Sequence, residues 1–109
     1  MGFVNGQLSI PGEAIADPRS QEMLRVWVAN QGLHISLRIG VWSDNPDVDE
    51  RKAWGIVLAD AVKHIADALE TAGHNKGDTV ARIRGSFLAE LDEPTSSATG
   101  DFSDGPSHN

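Results

Sequence analysis

From residue 22 onward apolar and polar side chains alternate. Leu24, Val26 and Val28 interleave with Met23, Arg25 and Trp27, and past Gly32 the residues Leu33, Ile35, Leu37, Ile39 and Val41 interleave with His34, Ser36, Arg38 and Gly40. A period of two predicts two strands joined as a hairpin. Register follows from the faces. A three-residue loop of Asn30, Gln31 and Gly32 sets Trp27 opposite Ile35 and mixes polar with apolar positions. A four-residue loop over residues 29–32, a type I turn with Gly32 left-handed, pairs Val28 with Leu33, Val26 with Ile35 and Leu24 with Leu37. One face is then wholly apolar, and the other carries Arg25, Trp27, His34, Ser36 and Arg38.

After Asp44-Asn-Pro-Asp47 the period changes to that of a helix, expected over residues 48–72. Asp47 caps it with Glu50 three residues on, and Gly73 stops it. Trp54, Leu58, Ala61, Val62, Ile65, Leu69 and Ala72 form its apolar stripe. Gly55, Ala59 and Ala66 on the flank let another helix approach closely. A second helix is expected over residues 79–92, capped by Asp78, with Val80, Ile83, Phe87 and Leu91 buried and Pro94 beyond its end. Asp17-Pro18 predicts a further turn of helix through residue 21. Residues 1–16 are read as an N-terminal arm, which Leu8, Ile10 and Ile15 tack down. Residues 95–109, small and polar with Phe102 as their one large apolar side chain, are read as a flexible acidic tail. The fold class expected for residues 17–94 is therefore α+β, a two-stranded antiparallel hairpin packed on two C-terminal helices in the order ββαα. A unit this small has a thin core, so extension by dimerisation is expected, with the hairpin edge or its Trp27 face in the contact.

Charge changes this picture little. The 109 residues carry 9 Lys and Arg against 16 Asp and Glu, a net charge of −7. Four of the acidic residues, Glu13, Asp17, Asp101 and Asp104, lie in stretches free of Lys and Arg, so residues 19–94 are close to balanced. An acidic chain of this kind argues against nucleic-acid binding, which rewards clustered cations. The absence of cysteine excludes thiol chemistry and disulfides and suits a reducing, cytoplasmic setting. No leader sequence is recognised, and the apolar runs are far short of the ~18 residues of a membrane span.

Several separated segments carry a family likeness: Glu22-Met-Leu-Arg-Val-Trp27, Gly32-Leu-His-Ile-Ser-Leu-Arg38, Ala53-Trp-Gly-Ile-Val-Leu-Ala-Asp60 and His64-Ile-Ala. Together they resemble the bacterial family known as domain of unknown function 5076, over residues 17–95. That resemblance implies a self-contained domain and brings with it no activity, cofactor or catalytic residue.

Two groups of side chains are candidates for chemistry. Arg25, Trp27, His34 and Arg38 on the polar hairpin face form a candidate interaction surface, because Trp and Arg are the residue types that anchor protein interfaces. Cross-strand stacking on a solvated sheet explains the same cluster without a partner. Asp60, His64 and Asp67 at i, i+4 and i+7 place an imidazole between two carboxylates, a polar cluster able to orient a general base. Ordinary contacts on a helix surface account for it as well, and no nucleophile or HExxH motif accompanies it. The acidic run Asp44, Asp47, Asp49 and Glu50 lacks the spacing of a calcium loop and is explained by helix capping. No phosphate-binding glycine loop follows a strand. The reading is a small noncatalytic cytoplasmic interaction protein, homodimeric, with an unknown protein partner and with no metal, cofactor, nucleic acid or membrane. The alternative is a small enzyme or ligand-binding protein centred on His64 and Asp60.

Overall fold

The computed structural model describes residues 6–106. Its elements are α1 (Gly12–Ala16), β1 (Leu24–Ala29), β2 (Gly32–Ile39), α2 (Glu50–Glu70), α3 (Lys76–Asp92) and β3 (Ala98–Asp104). Residues 1–5 of the expected arm and 107–109 of the expected tail lie outside the described residues.

β1 and β2 pair antiparallel in the register that the alternation demands, Leu24 opposite Leu37, Val26 opposite Ile35 and Val28 opposite Leu33. The turn that delivers this register is shorter than expected. Ala29 pairs with Gly32, leaving a two-residue loop of Asn30 and Gln31 with φ of 49° and 61°. Positive φ at both central residues is the mark of a type I′ turn, whose twist matches that of the strands it joins. Gly32 is thus a strand residue and not the left-handed position.

The sheet has a third strand where a flexible tail was expected. β3 pairs parallel with β2, from Leu33 beside Ala98 to Ile39 beside Asp104, giving the strand order β1-β2-β3. The expected two-stranded hairpin is therefore two-thirds of a mixed sheet within an α+β fold. Gly100 permits the pairing. A Cβ there would overlap the carbonyl of Ile35, and its φ of 146° is one that residues with side chains rarely adopt.

Around residue 17 the helix lies on the other side of the expected cap. α1 starts after Pro11 and stops at Asp17, which is extended with φ −100° and ψ 111°. The ring of Pro18 disfavours the helical conformation for the residue before it, so Asp17 ends a helix and does not begin one. Its carboxylate accepts the Arg19 N–H at 2.8 Å.

α2 is capped by Asp49 and not by Asp47. The Asp49 carboxylate accepts the Arg51 N–H at 3.0 Å, and hydrogen bonds from Arg51 hold that carboxyl below its ordinary pKa range. At the other end Gly73, with φ 99°, turns the chain out of the helix. The N–H of His74 reaches the Leu69 carbonyl at 3.1 Å and that of Gly73 reaches Glu70 at 3.0 Å, the crossed pair of a Schellman motif. α3 begins two residues before Asp78, with Asn75 accepting the Asp78 N–H at 2.9 Å.

α2 and α3 pack against each other, and Ala66 and Thr79 mark the close approach with 0% and 7% of their surface exposed. The small side chain at Ala66 acts here as the pattern of small residues predicts. Beyond this pair the expected packing is absent: no Cα of the sheet comes within 8 Å of one in either long helix. The hairpin does not lie on the helices of its own chain. Accordingly, Val28 is 80% exposed, and the C-terminal half of the expected buried stripe of α3 is open, with Leu91 67% exposed.

Candidate functional site

Pleating places Arg25, Trp27, His34 and Arg38 on one face of the sheet, joined there by Thr99, Asp101 and Ser103 from β3. Three of the four candidates are bound within the chain. Arg25 makes a two-pronged ion pair with Glu22, Nη2 to Oε1 at 2.7 Å and Nε to Oε2 at 3.1 Å. The Arg38 Nη1 donates to the Gly105 carbonyl at 3.1 Å and its Nε to the Glu22 carbonyl at 3.4 Å, so its guanidinium spans from the lead-in of β1 to the segment after β3.

His34 sits between Trp27 on β1 and Thr99 on β3. Its Nε2 is 3.0 Å from the Ala29 carbonyl and its Nδ1 is 3.1 Å from the Thr99 hydroxyl. A carbonyl only accepts, so Nε2 carries the proton, and in the neutral ring Nδ1 accepts from Thr99. The ring thus pins β3 to the hairpin. Trp27 is half-buried and is the one of the four whose side chain has no hydrogen-bond partner among the described residues.

At the β1 edge an open cleft of about 700 Å3 is lined by Leu8, Ile10 and Ile15 of the arm and by Leu24 and Trp27 of β1. The spacing of Leu8, Ile10 and Ile15 signals an arm that tacks down, yet Leu8 is 88% exposed. A second groove, about 560 Å3, runs along α3 and is lined by Ile83, Phe87 and Leu91.

The polar cluster of α2 lines neither opening. Asp60 is 3.7 Å from Lys63, and Asp67 is 2.5 Å from Lys76 at the start of α3. The Lys76 hydrogen bond, then its charge and that of His64, hold the Asp67 carboxyl below its ordinary range, and Asp67 raises Lys76 in turn. His64 is exposed, and both carboxylates beside it are committed to lysines. Among the described residues no group of three or more His, Cys, Asp or Glu is disposed to hold a metal ion.

Two side-chain contacts that position these elements lie beyond the reach of sequence patterns. The Glu50 carboxylate accepts the Gly40 N–H at 2.9 and 3.0 Å and the Trp54 indole N–H at 3.3 Å, tying the start of α2 to the end of β2. Glu90 accepts the Thr95 N–H at 3.0 Å and the Thr95 hydroxyl, which holds its carboxyl below the usual range and sets the path into β3.

A family model described as Domain of unknown function (DUF5076) matches residues 7–95. No curated protein matches the chain. Among solved structures it is similar to a "putative pyruvate dehydrogenase" from the photosynthetic bacterium Rhodopseudomonas palustrus CGA009. The two are 25% identical with a TM-score of 0.64, over 90% of this chain and 95% of that one.

Proposed function

The chain belongs to the family of unknown function DUF5076, and on that premise we propose that it is a small noncatalytic interaction protein that works as a homodimer in the cytoplasm. One observation carries this reading: no Cα of either long helix comes within 8 Å of the sheet, and part of the sheet's apolar face is open. Val26, Val28 and Phe102 are each at least 50% exposed on it. The accessible surface is 9122 Å2, whereas a compact monomer of 11.7 kDa exposes about 5,900 Å2. The radius of gyration, 15.9 Å, also exceeds the about 13 Å expected of a compact chain this long. The surplus, about 3,000 Å2 per chain, is ample for the roughly 2,000–5,000 Å2 in total that obligate homodimers bury.

An enzyme centred on His64 and Asp60 has less support, because the acidic neighbours are paired with lysines on an exposed helix. With the apolar surfaces turned to a second copy, the polar face with Trp27 and Arg25 stays outward for a further protein partner. Sedimentation equilibrium at micromolar concentration tests the dimer. The expected result is twice the chain mass, and a single-chain mass overturns the reading.

A further inference from the structure

We infer that the two copies exchange layers, the α2–α3 pair of each covering the apolar sheet face of the other; this rests on the homodimer proposed above. Two apolar surfaces per chain are left open. One is the sheet face, with Val26, Val28, Leu33 and Phe102. The other is the outer side of the helix pair, where Phe87, Leu88 and Leu91 are 46–67% exposed beside the groove on α3. A sheet with one apolar face needs a second layer, and in α+β domains that layer is helical. The helices that would supply it exist in this chain but stand away from the sheet.

Dimensions match. α3 has 17 residues and is ~25 Å long at the helical rise, and β2 has 8 residues and is ~26 Å long at the strand rise. Three strands span roughly 10 Å between outer axes, and two packed helices lie about 8–10 Å apart, so one pair covers one sheet. Stacking sheet on sheet alone leaves both α3 grooves open, and pairing helix with helix alone leaves both sheets open. Exchange closes all four surfaces with two equivalent contacts, as a two-fold dimer requires.

The test mixes unlabelled chain with chain labelled in 13C and 15N, reassembles them together, and records isotope-filtered NOE spectra that detect only contacts between copies. The expected peaks join the Val26, Val28 and Leu33 methyls of one copy to Phe87, Leu88 and Leu91 of the other. A dimer by sedimentation whose inter-copy peaks are sheet to sheet, helix to helix or missing overturns the exchange and leaves the homodimer standing. A monomer by sedimentation overturns both.

Discussion

Gln31 carries a φ of 61° in the turn between β1 and β2, a conformation that costs a residue with a side chain about 1–2 kcal/mol. Its neighbour Asn30 tolerates that region better, because its short amide bonds locally. Gln31→Gly creates the Asn-Gly pair that type I′ turns prefer. The expected outcome is a gain of about 1 kcal/mol in unfolding free energy by urea titration, with the fold unchanged. Asp67 gives a pH prediction. Its folded pKa is lowered by Lys76, so its contribution is present above the unfolded value, near pH 4, and is lost as pH falls through the folded one. Lys76, raised by Asp67, loses its share only as pH climbs through its own raised value. The melting temperature of Asp67→Asn therefore lies slightly below that of the wild type at neutral pH, and the gap closes below about pH 4. An acid limb identical in both proteins at every pH refutes this.

Among the elements, β3 is held by backbone pairing, Arg38 and His34 rather than by apolar burial, since all its residues are exposed. Gly100→Ala sets a Cβ against the Ile35 carbonyl and is expected to cost about 1–3 kcal/mol. Hydrogen exchange is the readout: residues 98–104 lose amide protection while residues 24–29 keep theirs.

This element also marks where sequence and structure part. The β1–β2 register was legible because Leu24, Val26, Val28, Leu33, Ile35 and Leu37 obey a strict period of two. Ala98-Thr-Gly-Asp-Phe-Ser-Asp104 has no such period and little strand propensity, and only the edge of β2 makes it a strand. Helix interiors were legible from their own apolar repeat of three and four residues, whereas their caps moved by two or three residues, since Asp47 and Asp49, or Asn75 and Asp78, offer equally good acceptors. The shared face of Arg25, Trp27, His34 and Arg38 was legible from alternation, but its internal bonds to Gly105 and Thr99 depend on β3 and so were hidden with it.

For the whole molecule, the proposed homodimer would make folding and association one equilibrium, because no Cα of the sheet comes within 8 Å of one in α2 or α3. The melting temperature is then expected to fall with each tenfold dilution in differential scanning fluorimetry or calorimetry. A value independent of concentration contradicts a coupled dimer. The family match covers residues 7–95 and so ends before β3 begins at Ala98.

The parallel pairing of β3 with β2 also orders events during synthesis. Leu33 meets its neighbour Ala98, and His34 meets Thr99, across a separation of 65 residues, within which both long helices are made. The β-hairpin and the helical hairpin each close through local contacts and can form as they emerge from the ribosome. The far edge of β2 has no partner within the chain until residue 98 follows, and until then it is a nascent strand edge open to other chains.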